Sequence, residues 1–195
     1  ESITETDDDG YPIAWADHRA LFHTKGQNYE INAIANAFED GYGVTKFKNV
    51  DIEGNQGKDS RGEFVDTDLP LIRLAEIYLN YAEAVLRGGS GGDMATAVNY
   101  INELRERAYG NSQGNISSND LTLDFILDER SRELYWEGMR RTDLIRYDLF
   151  TSGEYLWPWK GNAKNGIAVD ANRKLFPLPN NIIVINPNLT QNPGY

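Results

Sequence analysis

Residues 69–84 read Leu-Pro-Leu-Ile-Arg-Leu-Ala-Glu-Ile-Tyr-Leu-Asn-Tyr-Ala-Glu-Ala, and this stretch decides the fold. Leu71, Leu74, Ala75, Tyr78, Ala82 and Val85 recur at helical spacing, while Arg73, Glu76, Asn80, Glu83 and Arg87 form one narrow polar stripe. Asp68-Leu69-Pro70 supplies an acidic N-cap candidate and a proline for the first turn. Ile72, Ile77, Leu79, Tyr81 and Leu86 make the helix apolar over most of its circumference, so it is expected to be packed on several sides. Gly88-Gly89-Ser90-Gly91-Gly92 stops it, and Asp93 can cap a second helix carrying Met94, Ala97, Val98, Ile101, Leu104 and Ala108 on one face, up to Tyr109-Gly110. Two helices joined by a short flexible loop make a helical hairpin.

Working outward, a third helix is expected over about 123–137 and a fourth over about 140–150. Upstream, residues 1–66 are polar and glycine-rich and predict irregular structure with two short strands, one near Gly43–Asn49. Downstream, prolines at 158, 177, 179, 187 and 193 leave residues 151–195 as coil. The fold class expected is therefore mainly α: a helical hairpin and two further helices, long irregular loops and a few short strands. The organisation expected is one domain over 1–195, with a loop-rich part (1–66), a helical scaffold (67–150) and a wrapping coil (151–195). No repeat of fixed period is present.

A chain of 195 residues buries enough surface to fold without disulfides or metal. Its 30 acidic and 19 basic residues give a formal charge of −11, which argues against nucleic-acid backbones and anionic membranes. The longest run of large aliphatics, Ile182-Ile183-Val184-Ile185, is far short of the roughly 20 residues that cross a bilayer. Without cysteine there is no thiol nucleophile, no Cys-type zinc site and no lipid attachment point. The chain starts at Glu1 without a signal segment and reads as a processed chain or a piece of a longer one.

Residues 128–148 hold six acids and five arginines. Glu129 and Glu133 lie one helical turn apart, and a neighbouring arginine could split two carboxylates into acid and base roles. The preferred reading is a structural ion-pair network of Glu129, Arg130, Glu133, Glu137, Arg140, Arg141, Asp143 and Arg146, because the planar five-donor guanidinium suits partly buried pairs. No His, Cys, metal cluster or phosphate loop stands beside it, so no catalytic residue is assigned. His18 and His23 are five apart and share no helix face, Glu5-Asp7-Asp9 lacks the terminal calcium ligand, and 54–59 lacks phosphate-loop spacing. No metal or cofactor is expected.

Tyr155-Leu156-Trp157-Pro158-Trp159-Lys160 puts three aromatics beside donors and acceptors on a proline-containing coil. That pairing suits a sugar, with its apolar ring faces and hydroxyl rim; the preferred reading is that the rings anchor a long coil onto the helical body. Trp15 and Tyr29 pose the same choice. Tyr155, Trp157, Trp159, Trp15 and Tyr29 are the glycan-binding candidates.

Three strings in order carry a family likeness. The first is 69–84; the second is Asp-Glu-Arg-Ser-Arg-Glu-Leu with Glu-Gly-Met-Arg-Arg-Thr-Asp-Leu-Ile-Arg across 128–146. The third is Leu-Phe-Pro-Leu-Pro followed by Asn-Pro-Asn-Leu-Thr-Gln-Asn-Pro-Gly-Tyr to 195. Together they resemble the C-terminal signatures of the SusD/RagB family of outer-membrane nutrient-binding lipoproteins in Bacteroidetes. Asp17-His18-Arg19 resembles the family's D-P-R with His18 in place of proline, and Thr142 stands where tryptophan is frequent. The resemblance implies the C-terminal part of an α-α superhelix, with the hairpin as a tetratricopeptide-like pair and a lipid-bearing portion N-terminal to this sequence. It further implies surface capture of glycan, or in some members peptide, without catalysis, and delivery to a SusC-like TonB-dependent transporter. A pure protein-interaction scaffold and, less well supported, a glycoside hydrolase are the other readings. No family binding residue transfers to a position here.

Overall fold

A computed structural model describes residues 2–33, 37–51, 53–59 and 61–195. Two compact units divide the chain: Glu1–Ile31 with Ala35–Gly138, and Asn32–Ile34 with Met139–Tyr195.

The first unit begins with β1 (Ile3–Thr6) and β2 (Pro12–Trp15), an antiparallel pair that sets Ile3 opposite Trp15 and Thr6 opposite Pro12. Asp7 closes the turn by accepting from the backbone N–H of Asp9 (3.1 Å) and Tyr11 (2.8 Å), the side-chain mimicry of a turn that Asp performs well. A second antiparallel pair follows, β3 (Phe22–His23) and β4 (Gly43–Val44). The strand expected over Gly43–Asn49 is thus only two residues long, because Lys46 leaves the sheet to reach the carbonyls of Glu133 and Tyr135.

Three helices form the core: α1 (Leu74–Leu86), α2 (Met94–Tyr109) and α3 (Leu123–Leu134). Leu79 and Ala82 from α1, Ala97 and Ile101 from α2, and Ile126 from α3 have no exposed surface. Each large side chain so buried stabilises the fold by about 1.5–3 kcal/mol. Tyr78 stacks on Tyr100 at 4.2 Å between ring centres, joining the two helices of the hairpin. Asp93 caps α2 by accepting from the Thr96 N–H at 2.8 Å, Gly110 ends it at φ 70°, and Thr122 caps α3 through the Phe125 N–H.

Several boundaries differ from the periodicity. Helix α1 starts at Leu74, not near Pro70, because Arg73 stays extended (φ −139°, ψ 156°) while its guanidinium engages Glu133 and Glu137. Helix α3 stops at Leu134, three residues early, where Tyr135 turns extended and Trp136 enters the left-handed region at φ 62°. That turn brings Glu137 to Arg73 and Lys46. Helix α1 is also not covered all round: Leu71 and Ile72 ahead of it, and Leu74 on it, are exposed.

In the second unit α4 spans Arg140–Arg146, shorter than expected because the chain turns left-handed at Asp148 (φ 57°). The expected coil contains two 3-10 turns (Lys160–Asn162 and Ala171–Lys174) and one short α-helix, α5 (Asn180–Ile185), with Pro179 just ahead of it where no N–H is needed. Polar staples order the rest. Gln191 exchanges two hydrogen bonds with Leu178 (2.8 and 2.9 Å), Asn192 donates to the Phe176 carbonyl and the Tyr195 hydroxyl to that of Leu175. The C-terminal Gln-Asn-Pro-Gly-Tyr string therefore closes on the Leu-Phe-Pro-Leu-Pro string.

Candidate functional site: an aromatic groove and its ion-pair foundation

The N-terminal segments of the first unit build a groove of about 730 Å³ lined by Ile3, Pro12, Trp15, Ala20, Phe22, Tyr29, Ile31, Gly41 and Tyr42. Trp15 lies at the end of β2 and Phe22 in β3; the two rings meet edge to face at 5.7 Å. Tyr29 and Tyr42 lie 5.5 Å apart at a 59° tilt. They are brought together by backbone bonds between separate segments: Asn28 N–H to the Glu39 carbonyl (2.7 Å) and Gly41 N–H to the Asn28 carbonyl (2.8 Å). Gly41 sits at φ 87°, and a Cβ there would lie 3.1 Å from Ile31 Cδ1, so the wall depends on glycine. Tyr29 is 79% exposed, an open ring face beside a hydroxyl. Apolar faces with a few hydroxyl and indole N–H groups are a surface that sugar rings can stack on.

The groove is seated on charge. Asp17 and Arg19, between Trp15 and Phe22 in sequence, form a fork in which Arg19 Nε and Nη2 donate to the fully buried Asp17 at 2.9 and 2.6 Å. Arg19 Nη1 reaches across to Glu129 (2.8 Å) and Glu133 (3.1 Å) on α3. The N–H of His18 donates to the Ala108 carbonyl in the last turn of α2 (2.8 Å). The three residues 17–19 thus bind the groove strand to two helices.

Glu129 also accepts from Arg105 (2.7 Å) and Arg132 (2.8 Å). Glu133 accepts from Arg73 (2.6 Å) and from Arg107 Nη2 at both oxygens (2.6 and 2.7 Å), and Glu137 from Arg73 and Lys46. Burial pushes the carboxyls of Glu129 and Glu133 up, but the surrounding arginines, Arg19 and Arg132 for Glu129, Arg107 and Arg73 for Glu133, outweigh it and hold both below the ordinary glutamate value. A glycosidase acid requires the opposite, a carboxyl raised to keep its proton near neutrality. Burial opposes the charge on Arg19 too, yet Asp17 and Glu129 leave its pKa raised. Of the other charged candidates, Arg130 donates to Asn80 (2.7 Å), and in the second unit Arg146 pairs with Asp143 (2.8 Å). Arg140 donates to the Tyr155 hydroxyl, and Arg141 to the carbonyls of Arg173 and Lys174.

The second unit has its own aromatic pocket, about 540 Å³, with Phe150, Trp157, Asn162, Asp170 and Arg173 among its lining residues. Trp157 stacks on Phe150 at 6.0 Å and lies 6.3 Å from Tyr155. Trp159 is not among the lining residues. The buried Lys160 donates to the carbonyls of Leu149, Ser152 and Tyr155 and lies 4.7 Å from the Trp157 ring centre; burial lowers its pKa. A Cβ on Gly166 (φ 74°) would fall 2.5 Å from the Trp157 carbonyl oxygen, so this loop closes only with glycine there. Trp15 and Tyr29 therefore share one groove, Trp157 lines a pocket in the other unit, and Phe22 and Tyr42 are additions that no motif announced. Among the described residues no group of three His, Cys, Asp or Glu side chains could hold a metal, and no helix is long and apolar enough to cross a membrane.

Comparison with known proteins matches residues 18–195 to the SusD family. The starch-binding protein SusD of Bacteroides thetaiotaomicron is 41% identical over 93% of this chain, and the match spans 32% of that protein's own length. Among solved structures, surface glycan-binding protein A of Bacteroides thetaiotaomicron matches with a TM-score of 0.54 and 32% identity over 67% of this chain and 26% of its own. A SusD superfamily protein of Bacteroides vulgatus matches with a TM-score of 0.53 and 33% identity over 73% and 31%. This chain thus spans about a third of the length of the relatives it matches.

Proposed function

The chain belongs to the SusD family, and from that premise we propose that it binds glycan at the bacterial cell surface without cleaving it and passes it to a partner TonB-dependent outer-membrane transporter. The observation that carries the binding step is the groove of Trp15, Phe22, Tyr29 and Tyr42, which offers aromatic faces with hydroxyl groups and no paired acid and base. Trp157 in the second unit is a further stacking surface. The names of the two Bacteroides thetaiotaomicron relatives, a starch-binding and a surface glycan-binding protein, support saccharide as the ligand class and make an α-1,4-glucan the first probe. Absence of hydrolysis is supported by the lowered pKa of Glu129 and Glu133. Delivery to a transporter, and residence at the outer membrane through a lipid anchor, rest on family membership.

Affinity electrophoresis of the chain through gels containing starch and a panel of plant and host polysaccharides tests the binding step. Retardation in at least one gel is expected, and its loss in Trp15→Ala. Migration unaltered by every polysaccharide contradicts the proposal. A protein-docking scaffold is the second reading, favoured by the exposed apolar residues Leu71, Ile72 and Leu74 at the start of the hairpin. Co-purification with the transporter despite no glycan affinity is the result that would select it.

A further inference from the structure

Beside the groove, the first unit holds a separate cleft of about 390 Å³ whose chemistry differs. It is lined by Arg19, Lys46, Arg73 and Arg107, by the carboxylates of Glu133 and Glu137, and by the rings of Phe47 and Tyr135. Arg19 is taken up mainly by Asp17 and Glu129 behind the wall. The remaining three cations share two carboxylates, in a chain whose overall charge is −11. Arg73 uses all three of its nitrogens on Glu133 and Glu137, and Lys46 has three acceptors in Glu137 and the carbonyls of Glu133 and Tyr135. Arg107 is different. It holds Glu133 through Nη2 alone, its side chain is 55% exposed, and its Nε and Nη1 have no partner among the described residues. The surplus cation therefore stands at the mouth with three N–H donors open. Phe47 and Tyr135 flank Lys46, whose ammonium lies 5.9 and 4.5 Å from their ring centres.

We propose that this cleft is an oxyanion subsite for an acidic saccharide, with Arg107 taking the carboxylate or sulfate group and Phe47 and Tyr135 bordering the sugar ring. The proposal rests on the reading that the chain binds saccharides, and adds a class of ligand to it. A charge-assisted hydrogen bond to an exposed guanidinium favours the anion directly, and the cleft volume suits one or two sugar residues. The carboxylates already present are matched: burial pushes Glu133 and Glu137 up, but their arginines and Lys46 keep both below the ordinary value. They remain ionised partners of the cations and do not compete as proton donors.

Calorimetric titration of the chain with α-1,4-trigalacturonate, with neutral α-1,4-galactotriose, and with sodium sulfate and sodium acetate alone tests the subsite. The acidic trisaccharide is expected to bind about tenfold more tightly than the neutral one. That preference should shrink as ionic strength rises and vanish in Arg107→Gln, whose retained far-UV circular dichroism and cooperative, if lowered, urea transition would show that the fold is kept. Should Arg107→Gln unfold, salt dependence in the unaltered chain together with Phe47→Ala takes over as the test. Equal affinity for both trisaccharides, or a preference that survives Arg107→Gln, overturns the subsite. Binding of free sulfate or acetate as tight as that of the acidic trisaccharide overturns the sugar. If neutral glycans bind in the Trp15 groove and the acidic one gains nothing, only this inference fails. If no saccharide of either kind binds, the proposed function fails with it.

Discussion

Replacing Glu129 by glutamine tests whether the buried carboxylate is the keystone beneath the groove. The side chain has no exposed surface and lies 2.8, 2.7 and 2.8 Å from Arg19, Arg105 and Arg132, whose own side chains are only 11%, 12% and 29% exposed. Glutamine keeps the shape, removes the charge, and turns an NH₂ group towards donors. Removing one member of a buried pair costs about 3–5 kcal/mol because the partner is left uncompensated. Arg19 keeps Asp17, and Arg132 can turn towards water, so the loss should fall at the low end, about 3 kcal/mol. For a chain of this size that is a fall in Tm of about 6–12 °C. Urea unfolding followed by circular dichroism should show a lower midpoint at unchanged slope. Arg105→Met should cost less, because Glu129 retains two arginines. A loss below about 1 kcal/mol for Glu129→Gln would mean that the carboxylate is no keystone and put the pairs on a par with ordinary surface ion pairs.

Other outcomes follow from the same geometry. The carboxyls of Glu129, Glu133 and Glu137 sit below their ordinary value of 4.5 in the folded chain. The unfolded state therefore binds protons first as pH falls. Their contribution is fully present above that value and is lost as pH falls through the lowered folded-state values, so the urea midpoint should start to drop below about pH 5 and keep falling with further acidification while staying flat above about pH 6. Leu79→Ala, at a fully buried position on α1, should lower stability by about 2–5 kcal/mol in the same assay. Gly166→Ala forces a Cβ to within 2.5 Å of the Trp157 carbonyl at φ 74°. It should cost about 1–3 kcal/mol and shift Trp157 emission, whereas Gly88→Ala, at φ 82° with open space around it, should show the backbone cost without the spectral change.

The hairpin was legible because its signals are local: a 3.6-residue repeat, a glycine-rich stop and an aspartate cap all lie within 69–110. The ends of α1 and α3 were not, because tertiary ion pairs set them. Arg73 is held extended by carboxylates about sixty residues away, and the turn after Leu134 delivers Glu137 to Arg73 and Lys46. In the cluster at 128–148 the acids were conspicuous, but the cations that meet Glu129 and Glu133 include Arg19, Arg73, Arg105 and Arg107, which no periodicity connects to that segment. Arg19 did lie in a marked string, Asp17-His18-Arg19, whose role as a fork became visible only with the fold. The groove was half visible. Trp15 and Tyr29 stood out as aromatics in a polar region, whereas Phe22 and Tyr42 join them through two short strands and a bridge at Asn28 and Asp40 that composition does not encode.

The most direct measurement is calorimetric titration of maltoheptaose into the chain and into Trp15→Ala and Tyr29→Ala variants of unaltered stability. A central aromatic that carries binding loses about 2 kcal/mol or more on truncation, more than tenfold in affinity. Saturable binding by the unaltered chain and a loss of at least that size in both variants are expected. Binding left intact by both substitutions, or no binding of any glycan by the unaltered chain, would contradict glycan binding in the groove.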